Sequence, residues 1–316
     1  MKVNKTTFYY PYFFFLPLLS GFFLLGCSDS ASRDFELIET NSNFDFHSIE
    51  NYQNMLYATG GDVWEKSELA ISEEGQKWTV DSLTNKSIFD LYTDGNTLYG
   101  VGNDGYIFSG QPELTLSRTK FWGMLRGFSS SREGFIAVGG KDFNKGWIYK
   151  VNSNLQIDTT HTFENEFLTV DCNNLGTCIA AGYGIIASSV DYGISWQRSS
   201  ETGDYYNAIS VNNNGDFFIV GYNGTIIHSD DNGITWNKIK NGHSPLTDNK
   251  PFRSIKFKGE TGVIVGDNGL IWISENSGQD WIDASIQTDL DLFDFTFFQS
   301  KVICASEGGR IISVGI

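Results

Sequence analysis

Ser229-Asp230-Asp231-Asn232-Gly233-Ile234-Thr235-Trp236, inside the run GYNGTIIHSDDNGITWNKIKNG, decides how this chain folds. A near copy, Ser189-Val190-Asp191-Tyr192-Gly193-Ile194-Ser195-Trp196, lies 40 residues before it. A looser one, Ser274-Glu275-Asn276-Ser277-Gly278-Gln279-Asp280-Trp281, lies 45 residues after it. A unit recurring at this period cannot bury its apolar face alone and must stack on its neighbours, as in solenoids and propellers.

Outward from these copies a second register appears, reading large apolar, any residue, small, apolar. It occurs as Phe46-His47-Ser48-Ile49, Ile88-Phe89-Asp90-Leu91, Phe121-Trp122-Gly123-Met124, Phe167-Leu168-Thr169-Val170, Tyr206-Asn207-Ala208-Ile209, Phe252-Arg253-Ser254-Ile255 and Leu292-Phe293-Asp294-Phe295. The small third position is what crowding around a shared axis would select. After each copy comes an apolar strand ending at a turn glycine, such as Phe217 to Gly221 or Val263 to Gly266, with Ser306 in that place in the last copy. A third strand follows (Thr225-Ile226-Ile227-His228), then the opening motif as a turn into a fourth. Four short strands per repeat of about 41 residues make the blade of a β-propeller.

The fold class is therefore all-β, a seven-bladed propeller of four-stranded antiparallel blades. The seventh copy supplies three strands, ending in Arg310-Ile311-Ile312-Ser313-Val314, and residues near 34–40 are expected to add the fourth and close the ring. The first blade keeps a shortened motif, Ser72 to Trp78. The motif is lost near Ser109-Gly110-Gln111-Pro112 and near Val151-Asn152-Ser153-Asn154. Loops between Gly140 and Gly146 and between Asn241 and Lys250 are longer than their counterparts.

The N-terminus reads as a targeting segment. Lys2 and Lys5 precede an apolar run, Phe8 to Leu25, broken by Pro11 and Pro17 and closed by Leu24-Leu25-Gly26-Cys27. That ending resembles the bacterial lipobox, whose Cys is lipidated, so Cys27 is the expected lipidation site. The expected division is 1–26 signal peptide, 27–33 lipidated tether and 34–316 propeller. The membrane is then reached only through the lipid. Ser28 after the Cys favours the outer membrane of a Gram-negative-type envelope, on its periplasmic or outer side. Without Lys2 and Lys5 the chain carries 20 basic and 38 acidic residues, a net charge of −18 that repels phosphate backbones and disfavours nucleic acid. A monomer is expected.

Cys172 and Cys178 flank Asn173-Asn174-Leu175-Gly176, a hairpin turn. In a disulfide-permissive compartment they form a staple, or else they are two small core residues, and spacing leaves both readings open. Cys304, in Val302-Ile303-Cys304-Ala305, reads as buried. Four His without metal spacing, no GxSxG and no P-loop give no cofactor or metal expectation.

The pattern S-x-D-x-G-x-[ST]-W resembles the Asp-box, or BNR repeat. In that repeat the Asp accepts backbone N–H groups within the turn, the Gly takes a left-handed angle and the Trp packs between sheets. Ser189, Asp191, Gly193, Trp196, Ser229, Asp231, Gly233, Trp236, Ser274, Asn276, Gly278 and Trp281 are thus expected to be structural. Asp191 and Asp231 belong to separate blades and are not expected to act as a catalytic pair. The wider context, G-x-x-G-x-[IL]-x-x-S-x-D-x-G-x-[ST]-W from Gly221 to Trp236, is similar to the photosystem II stability/assembly factor-like family. That resemblance implies a non-catalytic scaffold binding a protein partner during assembly of an envelope complex. Nothing in the chain points to photosynthesis.

Asp-boxes also occur in sialidases, which leaves a glycan binder or glycoside hydrolase as the rival reading. The Phe/Tyr-Arg-Ile-Pro signature of sialidases is missing; Pro251-Phe252-Arg253-Ser254 has the wrong order and place. The candidate binding residues are Arg253 and Lys256, on or beside an inner strand, and Arg126, just past another. They would receive a carboxylate or acidic peptide at the axis, or be consumed by pairing with Asp90, Asp171 or Asp294. Tyr183, Tyr192, Tyr205 and Tyr222 form a contact surface or pack between blades.

Overall fold

The computed structural model describes residues 33–62, 66–110, 115–118, 123–132, 134–201, 203–244 and 249–316. Cys27, with the signal peptide and nearly all of the tether, lies outside the described residues, as do Phe121 and Trp122. Seven four-stranded antiparallel sheets form the ring. Their innermost strands are Phe46–Tyr52, Ile88–Thr93, Met124–Ser131, Phe167–Cys172, Tyr206–Val211, Phe252–Lys258 and Leu292–Phe298, numbered here as blades 1 to 7. Phe35–Glu39 pairs antiparallel with Arg310–Gly315, Phe35 facing Val314 and Glu39 facing Arg310, and closes blade 7. Among the described residues no helix is long and apolar enough to cross a membrane.

The apolar side chains make seven separate clusters, one between each pair of adjacent blades. Alternation along the second strands feeds two clusters at once. In Phe217–Gly221, Phe217 and Ile219 join the cluster shared with blade 4, while Phe218 and Val220 join the one shared with blade 6. A strand buried on both faces reads as an unbroken apolar run, which is why Phe217-Phe218-Ile219-Val220 shows no polar alternation. Cys304 serves the same purpose in blade 7, and its burial pushes the thiol pKa up.

The third copy of the inner-strand pattern is corrected by the register. Leu125 faces Gly139 and Gly127 faces Val138, so Leu125-Arg126-Gly127-Phe128 occupies the place expected of Phe121 to Met124. Both stretches fit a loose apolar–any–small–apolar template, and only pairing with the next strand distinguishes them. Arg126 consequently lies within an inner strand, not beyond its end.

Candidate functional site

Every innermost strand slips register after its first large apolar residue, between Phe46 and Ser48 in blade 1 and at the matching step in the other six. Such a bulge leaves one residue unpaired and re-aims it. Here the unpaired residues are His47, Phe89, Arg126, Leu168, Asn207, Arg253 and Phe293, and all seven line an axial cavity of about 430 Å³. The slot that tolerates any residue in the sequence pattern is therefore the slot that faces the cavity. It was readable only as the one position without a preference.

The small third position has a bonding role besides its size. Asp294 of blade 7 accepts the Ile49 N–H of blade 1 at 3.0 Å. Ser48 accepts the Leu91 N–H of blade 2 at 3.1 Å. Asp90 accepts the Phe128 N–H of blade 3 at 3.1 Å, and Thr169 accepts the Ile209 N–H of blade 5 at 3.2 Å. These bonds stitch successive blades at the hub. Crowding accounts for Gly127, where an added Cβ would stand 3.0 Å from the Thr169 backbone.

Deeper in the cavity, Lys256 lies 3.1 Å from Asp294 and 3.5 Å from Glu50. Burial opposes its charge, but these carboxylates outweigh burial and raise its pKa above the usual lysine value. Burial lifts Asp90 to about 8, helped by the Asp294 charge, and lifts Asp171 to about 6. Burial likewise raises Glu50 and lowers His47. Asp171 accepts the Val211 N–H at 3.0 Å, so this carboxylate too is engaged across a blade junction.

Arg126 and Arg253 stand at the end of the cavity from which the inner strands start. Neither pairs with the inner-strand acids considered from the sequence. Arg253 forks onto Asp267 at 2.6 and 3.0 Å, and Arg126 reaches Glu166 at 3.3 Å. Lys256 does pair with an inner-strand acid and is closed off as a free cation. The Arg126 partner Glu166 is buried and Arg253 is held through two bonds, so both guanidiniums are fixed in place beside the cavity. Among the described residues the arginines lining the cavity are Arg126 and Arg253, and no group of His, Cys, Asp or Glu could hold a metal.

An aromatic arc adjoins the arginines. Phe143 meets Tyr183 edge-on at 4.8 Å, and Tyr183 meets Tyr205 at 5.4 Å. The Tyr222 N–H donates to the Tyr205 carbonyl, and the Arg253 guanidinium lies 5.5 Å from the Tyr222 ring. Phe143, Tyr205 and Tyr222 are 63%, 53% and 45% exposed. Two buried carboxylates hold the arc in place: Glu166 takes the Phe143 N–H, and Asp204 takes the N–H groups of Tyr205 and Asn223. Sequence reading passed over Phe143, Glu166 and Asp204, because nothing in their local context marks them. Tyr192 lies elsewhere, beside Arg132.

The box turns occupy the opposite end of the ring. In blade 4 the Gly193 N–H donates to the Ser189 hydroxyl at 2.9 Å, and Asp191 takes the Ser195 N–H and hydroxyl at 2.8 and 2.6 Å. Blade 5 repeats this with Ser229, Asp231, Gly233 and Thr235. Blade 6 inverts one bond: the Asn276 amide donates to the Asp280 carboxylate at 2.9 Å, while Ser274 still accepts the Gly278 N–H. Trp196, Trp236 and Trp281 each pack against the cluster shared with the preceding blade. Cys172 and Cys178 face each other in register and are disulfide-bonded.

With this geometry in view, comparison with known proteins is specific. Residues 201–291, covering blades 5 and 6, match the family described as photosynthesis system II assembly factor YCF48. Over that span the chain is similar to the BNR repeats of the photosystem II assembly factor-like family. A photosystem II assembly lipoprotein Ycf48 from Synechococcus sp. is 39% identical over 75 residues, spanning 23% of this chain and 22% of that protein. A solved YCF48 bound to D1 peptide superposes with a TM-score of 0.65 at 15% identity, over 90% of this chain and 99% of that one. A catalytically inactive virginiamycin B lyase from Staphylococcus aureus with quinupristin gives 0.71 at 12%, over 90% and 100%. At such identities the two solved structures share the fold with this chain and nothing finer.

Proposed function

We propose that this assembly factor-like propeller is a non-catalytic scaffold that binds a segment of a protein partner across its cavity mouth. The carrying observation is that the exposed arc from Phe143 to Tyr222 runs into Arg253 and toward Arg126 on one face. Aromatic rings give rigid contact area, and the arginines, held in place by Glu166 and Asp267, give orientation to an acidic group. The solved YCF48 with a bound peptide supports a protein partner, and the curated relative's description as a lipoprotein supports lipidation at Cys27. In this reading 1–26 is the signal peptide, 27–33 the tether, and the propeller acts as a monomer on the cell envelope, at the outer membrane. The hub carboxylates are assigned to blade stitching, not acid–base chemistry.

A photo-crosslinking amino acid at position 222, with a control at exposed position 239, tests this in cells making the full chain. Protein adducts at 222 and not at 239 are expected. Adducts distributed equally, or binding to a glycan array with no protein adduct, would overturn the reading.

A further inference from the structure

The direction of the closing strand orients the molecule. Phe35 pairs with Val314, which pairs in turn with Val302, and Val302 faces Phe297 near the end of the inner strand. Phe35 therefore lies at the end of the ring remote from the mouth, level with the box turns, and the strand runs from there toward the mouth. Arg33 confirms the exit by donating to the Gly315 carbonyl at 2.9 Å, and Glu36 accepts from Gln76 in the box-like turn of blade 1. Cys27 stands eight positions before Phe35. At about 3.3–3.6 Å per residue, a lipid on Cys27 keeps this end within roughly 25–30 Å of the bilayer.

The same end exposes aliphatic side chains. Leu175, Val190, Ile194 and Ile234 are 76%, 67%, 57% and 74% exposed. Their turns are bound together: the Tyr192 N–H donates to the Gly176 carbonyl at 2.9 Å, and the Thr177 hydroxyl donates to Asn232 at 2.9 Å. The mouth end exposes aromatic rings instead, so the two faces differ in kind. Aliphatic side chains with no polar tip suit the acyl boundary of a membrane.

We infer that the box-turn face docks on the bilayer that holds the lipid, seating Leu175, Val190, Ile194 and Ile234 at its surface and turning the cavity mouth away. This rests on the lipidation of Cys27 proposed above. Asp191 and Asp230 flank these residues, so a zwitterionic surface is favoured over an anionic one. A partner is then met from the aqueous side.

The test uses the full lipidated chain in phosphatidylcholine vesicles, with an environment-sensitive dye on Ile234→Cys, on Ile194→Cys or on Tyr222→Cys. Cys304 is buried and Cys172 is bonded to Cys178, so the introduced thiol takes the label. Brominated lipid should quench the dyes at 234 and 194, which would sit ~5–10 Å into the interface, and leave the dye at 222 bright. Equal quenching at all three, quenching at 222 alone, or none, in protein that floats with the vesicles, overturns the orientation while leaving lipidation standing. Protein that fails to float overturns both.

Discussion

The Ser48 hydroxyl donates to the Asp294 carboxylate at 2.9 Å, although 246 positions separate them in the chain. The same carboxylate takes the Ser254 hydroxyl at 2.7 Å and the ammonium of Lys256 at 3.1 Å, so blades 6, 7 and 1 meet on one side chain. Asp294→Ala would leave Lys256 without its principal partner in the hub. The expected cost is about 3–5 kcal/mol by urea denaturation. Adding Lys256→Met should restore part of that loss; no restoration would show that the pair is not the source.

The hub should make stability pH-dependent in a direction opposite to an ordinary salt bridge. Asp90 has a pKa of about 8 when folded, against about 3.9 for an unfolded chain. Between those values the folded state keeps a proton that the unfolded state releases, so stability falls as pH rises from about 4 to 8. Asp90→Asn should match the parent near pH 4 and exceed it at pH 8. Asp171, at about 6, adds to the fall between about 4 and 6.

Asp191 acts the other way. Although partial burial opposes it, hydrogen bonds from Ser195 and Ser189 bring its pKa down to about 2. Its contribution is present above about pH 4 and fades as pH falls through 2. Asp191→Asn should narrow the stability gap between the variant and the parent as acid is added, measured by thermal unfolding from pH 5 to 2.

Gly233 has φ +80°, and a Cβ there would stand 2.4 Å from Ile179 Cδ1 in the preceding blade. Gly95, at φ +86°, has nothing within 4 Å of the same point. Both Ala variants bear the left-handed penalty of roughly 1–2 kcal/mol. Gly233→Ala should lose about 1–3 kcal/mol more, and Ile179→Ala in the same chain should remove that excess. Equal losses at the two glycines would refute the contact.

Ile38 is 7% exposed and packs in the cluster between blades 7 and 1. Ile38→Ala should cost about 2–4 kcal/mol. Deleting residues through 40 would go further, uncovering the backbone edge of Arg310–Gly315. Loss of a single cooperative transition and concentration-dependent aggregation are expected.

The repeat was legible because each blade writes its own local chemistry. Ser229, Asp231, Gly233 and Trp236 satisfy a turn within eight residues, and Phe217-Phe218-Ile219-Val220 announces a strand covered on both faces. Blade 3 lacks a box and begins with a chance match at Phe121, so its register slipped by four residues. The cavity-facing slot stayed hidden for a related reason: His47, Phe89, Arg126 and Arg253 have no common chemistry to detect.

Local periodicity was thus enough to specify a closed ring of seven blades, its structural turns and the strand at Phe35 that completes it, since all of these depend on neighbours in sequence or on a repeated pattern. Folding settled which side chains converge. A bulge in every inner strand turns one unpatterned residue to the axis, and closure sets Ser48 against Asp294 and Phe35 at the end of the ring where the inner strands finish. Those relationships join positions far apart in the chain, where no local propensity records them.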